Sequence, residues 1–169
     1  MNPEKYLRVA DAVASESKCS RRKFGAVLVK DDDIVATGYN GSIRGALNCG
    51  RDIECLKDLF EEEPYTSYAN CPAVHAEVNA CLSAGRKLAR GSTLYLGIDK
   101  SSGKDVLLAV SPCQGCRRVL VQAGVKDVYY LGSNGIVHED VCDYVGMENM
   151  WMRSRLEKGR VASAHSSPG

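Results

Sequence analysis

Two short segments, far apart in the chain, carry the side chains that most constrain its fold. Residues 71 to 80 read CPAVHAEVNA and include His75, and residues 111 to 116 read SPCQGC. Cys113 and Cys116 stand three positions apart, the spacing at which two thiolates can bind one metal ion. Together with His75 they make a set of three ligands, so the fold must bring the two segments into contact.

Each segment also stands at the start of a predicted helix. The first helix is predicted from about Ala73 to Lys87, and the second follows Pro112, a residue favoured in a first helical turn. His75 and Glu77, two positions apart, face different sides of a helix, so they can converge only on a metal that lies over its N-terminal end. Two helix N-termini directed at one metal also favour thiolate ligands through the helix dipoles.

Three protein ligands leave the fourth position of a tetrahedral zinc ion open. An open position is characteristic of catalytic zinc, because a water can bind there and ionise near neutral pH. We interpret Glu77 as the proton carrier beside that water rather than as a ligand. In the alternative, Cys71 is the fourth ligand of a closed structural zinc, which leaves Glu77 without a role. H-x-E followed by P-C-x-x-C matches the signature of zinc-dependent deaminases.

Composition and charge narrow the class of protein. The 169 residues suffice for one domain with a substantial core, and the net charge of +1 gives no electrostatic case for nucleic acid or a membrane surface as partner. No apolar run approaches a membrane span or a signal peptide, so we expect a cytoplasmic protein. Eight cysteines in a cytoplasmic protein indicate metal binding or catalysis. We interpret Cys81 and Cys142, however, as small buried apolar residues.

The remaining pattern alternates helices and strands. A helix capped by Asn2 precedes two strands that are predicted to form a hairpin. The order of elements indicates an α/β domain with a mixed sheet between helices. The predicted strands are FGAVLVK, IVATGYN, TLYLGI, DVLLAV and DVYYLG.

The domain organisation is predicted from the segments that lack a clear period. Residues 41–70 are interpreted as a long insertion, which usually serves a function or needs a local cross-link. Helical material after Val141 is predicted to break near Gly146. We expect a single zinc-dependent deaminase domain over residues 1–158 and a flexible tail over residues 159–169.

Four segments make the chain resemble the deoxycytidylate (dCMP) deaminase family, within the cytidine deaminase-like superfamily. They are CSRRKFGAVLVK, GYNGSIRGALNC, HAEVNA and SPCQGC, and the resemblance extends from about Lys18 to Leu131. It implies a three-layer α/β/α fold and the hydrolysis of dCMP to dUMP and ammonia. It also implies that His75 and the two cysteines of SPCQGC hold zinc, while Glu77 transfers protons from the bound water to the ring nitrogen and the leaving amine.

The same resemblance implies substrate contacts and an assembly. In such enzymes the Asn of GYNG, here Asn40, contacts the deoxyribose and phosphate end of the nucleotide. An Arg between the first helix and the first strand, best matched by Arg21, helps to hold it. Asn40 could instead be a turn residue with a left-handed backbone, and Arg22 could replace Arg21. Relatives are commonly hexamers switched by dCTP and dTTP, so the resemblance implies a homo-oligomer and these effectors.

Two departures from the family fall where a substrate is selected. An extra polar turn and strand occupy residues 99–110, and SNGIVHEDV, after residue 132, lacks the family's phosphate-binding Tyr segment. His138 could replace that Tyr as a phosphate donor, or it is a surface residue. An aminohydrolase for another cytosine or pyrimidine nucleoside, nucleotide or related small molecule therefore stays open. So do a nucleic-acid base deaminase, disfavoured by the neutral charge, and a non-catalytic nucleotide-binding zinc module, disfavoured by Glu77.

Four further cysteines have no place at the first metal: Cys19, Cys49, Cys55 and Cys71. Pro72 tends to keep Cys71 extended and outside the following helix. Some dCMP deaminases carry a second zinc, with cysteines at positions that match Cys19 and Cys49. We expect the four thiols to bind a closed structural zinc that ties the insertion to the core, the alternative being a set of buried thiols.

Overall fold

The computed structural model describes residues 2–60, 70–102 and 110–165, with side chains up to residue 160. The helices are α1 (Pro3–Ala14), α2 (Leu56–Leu59), α3 (Ala76–Ala89), α4 (Gln114–Ala123) and α5 (Asp143–His165). The strands are β1 (Phe24–Lys30), β2 (Asp33–Tyr39), β3 (Gly41–Ser42), β4 (Ala73–Val74), β5 (Thr93–Ile98), β6 (Asp127–Gly132) and β7 (Gly135–Asp140).

Five of the strands form one mixed sheet in the order β2-β1-β5-β6-β7. β1 pairs antiparallel with β2 and with β5, β5 pairs parallel with β6, and β6 pairs antiparallel with β7. All of β5 and the central residues of β1 are buried, as expected for strands that are covered on both faces. The mixed sheet and the β1–β2 hairpin predicted from the sequence are confirmed.

Helices cover both faces of this sheet, which gives three layers. Successive side chains of a strand point to opposite faces, and β1 shows this alternation. Val27 and Val29 pack with Tyr6 and Ala10 of α1 in one buried cluster. Leu28 packs on the other face, with α3 and α4, in a larger core that includes Ala26, Ala80, Leu94, Leu120 and Val128. The three-layer α/β/α arrangement expected from the resemblance is therefore present.

Glycines hold two of these helices close to the sheet. A Cβ atom on Gly38 of β2 would lie 2.3 Å from the backbone nitrogen of Ala80 in α3. A Cβ atom on Gly25 of β1 would lie 2.2 Å from the carbonyl oxygen of Ala10 in α1. Because no side chain fits at such separations, glycine at these positions lets the helix backbones approach the strands. The close approach at Gly38 helps to fix the position of α3 and therefore of its N-terminus.

The start of α3 differs from the predicted one. Ala73 and Val74 are extended and pair with Ser42 and Gly41 in a small two-stranded sheet. The helix consequently begins at Ala76 rather than at Ala73. The prediction was wrong because this pairing involves a distant segment, which the local sequence does not reveal.

The C-terminal part of the chain differs most from the predictions. α5 runs through Gly146 without a break, and residues 159–165, predicted to be part of a loose tail, are helical. β7 was not predicted at all, since its sequence GIVHED holds only two apolar residues. It is an edge strand whose conformation is supported by pairing with β6, and such partner-dependent strands have weak sequence signals.

Two predictions concern segments of which only part is described. Of the predicted strand DVLLAV, only Val110 lies within the described residues. The insertion over residues 41–70 is described up to residue 60 and again at residue 70. It contains β3, a bridge between Cys49 and Ile53, and α2. None of the helices in the described part of the chain is long and apolar enough to cross a membrane.

Candidate metal centre and its cavity

The N-termini of α3 and α4 meet at the three predicted metal ligands. His75 is the N-cap of α3 and Cys113 is the N-cap of α4, both with extended backbones, and Cys116 lies in the first turn of α4. The Nδ1 atom of His75 is 3.5 Å from the Sγ atom of Cys113 and 3.3 Å from that of Cys116. The three side chains thus converge at two helix N-termini, as expected from the sequence.

The donor set fits a zinc ion. Tetrahedral zinc with ordinary Zn–N and Zn–S bond lengths places its ligand atoms about 3.5 Å from one another. The three ligand atoms here all lie within 4.8 Å of one another. Among the described residues this is the only group of three or more His, Cys, Asp or Glu side chains that could hold a metal in this way. Imidazole and thiolate are also ligands that zinc prefers over oxygen donors.

Cys113 and Cys116 form a hydrogen-bonded pair, and this hydrogen bond shifts their pKa values in opposite directions. A hydrogen bond from the Cys116 thiol lowers the pKa of Cys113 to about 3, and the same bond raises the pKa of Cys116. The hydrogen bond with Cys113 also raises the pKa of His75, while burial and, more weakly, the positive charge of Lys57 oppose that rise. A thiolate at Cys113 lies where the free N–H groups and the dipole of α4 stabilise negative charge.

Glu77 is buried beside the ligands without belonging to their set. It lies in the first turn of α3, and only 5% of its surface is exposed. Burial raises the pKa of its carboxyl group, because the charged form is poorly solvated there. The Cys116 thiol is close enough to form a hydrogen bond with it. Glu77 can therefore exchange a proton with a molecule held at the metal centre.

A cavity of about 340 Å³ lies over this centre and is within the size range of small-molecule sites. The segment after α1, the start of β3, the insertion and the two metal-binding segments form its walls. Four basic and two acidic side chains line it: Lys18, Arg21, Arg22, Lys57, Asp58 and Glu77. This excess of positive charge favours a ligand that carries negative charge.

Asn40 lies in the wall of the cavity and is 7% exposed. Its side-chain Nδ2 donates to the carbonyl oxygen of Arg22 at 2.9 Å, and its Oδ1 accepts from the N–H of Phe24 at 2.8 Å. Its own carbonyl oxygen accepts from the Ser17 hydroxyl at 2.7 Å. Asn40 is not among the described residues with a left-handed backbone, so that alternative is wrong. It fixes the segment that leads into β1, and its second Nδ2 hydrogen, which has no partner among the residues that the structure describes, is available to a ligand.

Both candidate arginines also line the cavity. Arg21 forms an ion pair with Asp58 of α2, with 3.3 Å between Nη1 and Oδ1, and its side chain is 23% exposed. This contact joins the segment after α1 to the insertion. The ion pair thus holds the Arg21 guanidinium at the cavity wall. A bound anion could interact with this guanidinium at the same time as the Asp58 carboxylate.

Two further polar residues of the wall were missed by the sequence reasoning. The Oγ atom of Ser42 is buried and has no hydrogen-bond partner within the described residues, which is costly unless a ligand or water meets it. Lys57 of α2 is only 7% exposed. Ser42 directly follows the GYNG motif, which was a usable signal. Lys57 stands in a segment without a clear period, and nothing in the sequence marks its burial.

The four cysteines assigned to a second zinc all line the same cavity. Burial and the neighbouring Cys55 raise the pKa of the Cys49 thiol to about 11, and Cys19 acts in the same direction. The turn at Gly50 packs against the backbone of Lys18 and brings Cys49 towards the segment that contains Cys19. These thiols do not form the close grouping of ligand atoms seen at the first centre.

The other residues singled out in the sequence are Cys81, Cys142 and His138, and none of them belongs to the group of metal ligands. Cys81 is buried, as predicted, one turn after Glu77. Cys142 is exposed just before α5, so the prediction of a buried thiol is wrong there. His138 pairs with Asp127 at 2.7 Å and stacks on Tyr129, and it does not line the cavity. Its position on an exposed edge strand fits the surface interpretation.

Replacement of one buried ligand tests the assignment of this centre. We expect Cys116→Ala to lower the zinc content of the purified protein by one ion per chain, because two remaining ligands bind zinc poorly. The exposed Cys142→Ala serves as the matched control and is expected to keep its zinc. Elemental analysis of both variants measures the difference. Equal zinc in the two proteins would remove Cys116 from the ligand set.

Comparisons with known proteins agree with this site. The family model for the cytidine and deoxycytidylate deaminase zinc-binding region matches residues 1–132. The deoxycytidylate deaminase of Mycobacterium phage D29 is 37% identical over 132 residues, which are 75% of this chain and 91% of that protein. The deoxycytidylate deaminase of Schizosaccharomyces pombe is 34% identical over 125 residues, 74% of this chain but only 35% of that longer protein.

Two similar solved structures are also deaminases. The dCMP deaminase of cyanophage S-TIM5, in complex with dCMP and dUMP, has a TM-score of 0.54 and 32% identity, and the match covers 78% of this chain and 84% of that one. The cytidine deaminase of Burkholderia pseudomallei, with a TM-score of 0.55, 18% identity and coverage of 85% and 96%, supports the fold alone. The matched region contains all three zinc ligands and Glu77. The chain belongs to the cytidine and deoxycytidylate deaminase family of zinc enzymes.

Proposed function

We propose that this enzyme hydrolyses dCMP to dUMP and ammonia. The observation that carries the proposal is a buried carboxylate beside a three-ligand zinc site, at one side of a cavity rich in basic residues. The relatives named deoxycytidylate deaminase, and a neighbouring structure that contains dCMP and dUMP, support the choice of substrate.

The side chains of the centre divide the chemistry between them. His75, Cys113 and Cys116 are the residues that hold zinc, and when bound the metal supplies Lewis-acid activation of a water molecule. Glu77 takes a proton from the attacking water and delivers it to N3 of the pyrimidine ring. It then transfers the second proton to the amino group at C4. A C–O bond forms at C4, the C–N bond breaks and ammonia leaves, so no redox partner is needed.

The burial of Glu77 suits this role. A carboxyl group enclosed by α3 and the ligands exchanges protons with the substrate rather than with bulk solvent, because only 5% of its surface is exposed. A positioned proton carrier of this kind contributes roughly a hundredfold to ten-thousandfold to a rate.

The basic wall supports a 5′-phosphate as the anionic part of the substrate. Arg21 and the remaining amide hydrogen of Asn40 are the donors that we assign to the deoxyribose and phosphate end. The hydroxyl of Ser42, which has no hydrogen-bond partner among the described residues, offers one more hydrogen bond in the same wall. Hydrogen bonds to a charged group contribute about 1.5–3 kcal/mol each, so two of them favour the nucleotide over the nucleoside strongly.

A substrate panel tests the proposed reaction. We expect ammonia release from dCMP with a kcat/KM at least a hundredfold above that for deoxycytidine, because the basic wall recognises the phosphate. Cytosine, cytidine and CMP complete the panel. Equal rates with dCMP and deoxycytidine would contradict the monophosphate assignment, and no release from any cytosine compound would contradict the reaction itself.

A second candidate is an aminohydrolase for another cytosine or pyrimidine compound. It is favoured by Val110, the last residue of the extra segment that departs from the family pattern, and by the following Ser111, because both line the cavity. A base in nucleic acid is a weaker candidate, since the chain has a net charge of only +1. A non-catalytic zinc module gives no role to a buried Glu77.

We also propose a second, structural zinc held by Cys19, Cys49, Cys55 and Cys71. Its support is the contact between Cys49 and Cys55, the nearby Cys19 and the position of all four thiols in one cavity wall. Binding of a metal requires the thiols to close on one another and to lose their protons. The gain is a link between the insertion and the core, where loop ordering is otherwise unfavourable.

Zinc stoichiometry tests this second site. We expect two zinc ions per chain in the fully loaded enzyme and one in Cys49→Ser, with proteolysis in the insertion faster in the variant. Cys142→Ser, at an exposed position, is the control and keeps both ions. A single zinc in the unsubstituted, fully loaded enzyme would rule out the site.

The assembly, regulation and location of the enzyme are further parts of the proposal. We propose a homo-oligomer, with a hexamer as the assembly to test by light scattering. The exposed apolar residues of α5 support it, namely Met147, Met150, Trp151 and Leu156. Regulation by dCTP and dTTP is proposed on the resemblance and is tested by adding each to the dCMP assay. A cytoplasmic location suits the zinc-binding thiols, which must stay reduced, and fractionation of cells tests it.

A further inference from the structure

Phe24 is the only aromatic residue among the described residues that line the cavity. It is the first residue of β1, and it packs against the main core on the side of the sheet formed by α3 and α4. Small-molecule cavities are lined mainly by apolar and aromatic side chains, with a few polar groups that fix the orientation of the ligand. The polar groups of this cavity have been assigned to the metal and to the sugar and phosphate end, whereas Phe24 has no role yet.

The sheet places Phe24 on the same side as the metal centre. Phe24 stands four residues before Leu28 in β1, so both side chains point to the face that α3 and α4 cover. It pairs with Ile98, the last residue of β5. The ligands His75 and Cys113 line the same cavity. The aromatic ring and the metal centre therefore face one enclosed space.

Two hydrogen bonds hold the backbone of Phe24 next to Asn40. The N–H of Phe24 donates to Oδ1 of Asn40 at 2.8 Å, and the carbonyl oxygen of Phe24 accepts from the N–H of Asn40 at 3.1 Å. Asn40 is the residue that we assign to the deoxyribose and phosphate end of the substrate. An aromatic ring fixed beside it suits a nucleotide, in which the base is bonded directly to the sugar.

The ring of Phe24 also offers surface to a ligand. Phe24 is only partly buried, and it lines the cavity. Leu96 and Val110, two further apolar residues of the wall, are 2% and 3% exposed, so they present much less open surface. Planar rings pack favourably on aromatic side chains, beyond the effect of the area that they bury. Phe24 is therefore the part of the described wall that best fits a pyrimidine ring.

We propose that Phe24 is a specificity residue whose ring packs against the pyrimidine ring of the substrate. This inference rests on the proposed function, and it names the part of the wall that recognises the base. The contact holds the base between the metal centre and Asn40, and Phe24 takes no part in proton transfer. Because packing of this kind needs a planar ring, the cavity discriminates against a saturated one.

Two ligands that differ in the planarity of the ring test this contact. dUMP has a planar, unsaturated ring, whereas 5,6-dihydro-dUMP carries the same sugar and phosphate on a saturated ring that cannot stack. Calorimetry measures both dissociation constants for the zinc-loaded enzyme. We expect the unsubstituted enzyme to bind dUMP roughly 5- to 30-fold more tightly than the dihydro compound, as stacking of a base on an aromatic side chain does. Phe24→Leu keeps an apolar side chain and removes the aromatic ring, so we expect it to bring the ratio close to one.

Matched variants control for changes in packing. Phe24→Tyr keeps an aromatic ring and is expected to retain the ratio. Phe60→Leu makes the test substitution at the other phenylalanine of the chain, which is exposed and outside the cavity, and is expected to retain it as well. Zinc content and melting temperature are measured for every variant. If Phe24→Leu does not fold, Phe24→Met, whose flexible side chain also fills an apolar site, carries the same comparison.

The outcomes separate this inference from the proposed function. If the unsubstituted enzyme does not deaminate dCMP, the proposed function is wrong, and the binding ratio still decides the role of Phe24 because it needs no turnover. If Phe24→Leu or Phe24→Met keeps the ratio of the unsubstituted enzyme, the ring does not contact the base. If the variant binds both ligands more weakly by the same factor, Phe24 only maintains the shape of the cavity. Equal binding of the two ligands by the unsubstituted enzyme, or no binding of either, also overturns the inference.

Discussion

The convergence of two helix N-termini on one metal centre is the constraint on which the rest of the structure depends. His75 caps α3 and Cys113 caps α4, and both helices pack on the same face of the sheet. α4 joins the parallel pair β5 and β6, so that its N-terminus lies near the end of β5, where α/β proteins commonly place their sites. The close approach of Gly38 to the backbone of α3 then places α3 beside α4.

The acidic side chains of the metal centre and most of the basic side chains lie on different sides of the cavity. Cys113, whose pKa is lowered by the hydrogen bond with Cys116, lies with the buried Glu77 on the side formed by the helix N-termini, where the helix dipoles favour negative charge. The basic residues come from the segment after α1 and from the insertion. A pyrimidine nucleotide carries its reacting carbon and its phosphate at opposite ends, and this division of charge matches such a molecule. In the proposed reaction, recognition thus comes largely from the segment after α1 and from the insertion, while the chemistry lies at the starts of two regular helices.

The sequence could predict those parts that depend on local spacing and periodicity. Cys113 and Cys116 stand at metal-binding spacing, and both metal-binding segments could be placed near helix N-termini, the second because it follows Pro112. The parts that were missed depend on distant partners. β7 is stabilised by pairing with β6. α5 continues through Gly146 although a glycine within a helix costs about 1 kcal/mol relative to alanine. The burial of Lys57 follows from how the insertion packs on the cavity, which a segment without a clear period does not reveal.

Turnover of dCMP by Glu77→Gln, with zinc content measured on the same sample, tests the central claim most directly. The substitution keeps the size of the side chain and removes its ability to carry protons. We predict full zinc occupancy and a loss of kcat of roughly a hundredfold to ten-thousandfold, because in the proposed mechanism Glu77 carries protons and does not bind the metal. Near-normal turnover would contradict that role, and loss of the metal together with activity would show that Glu77 holds the zinc.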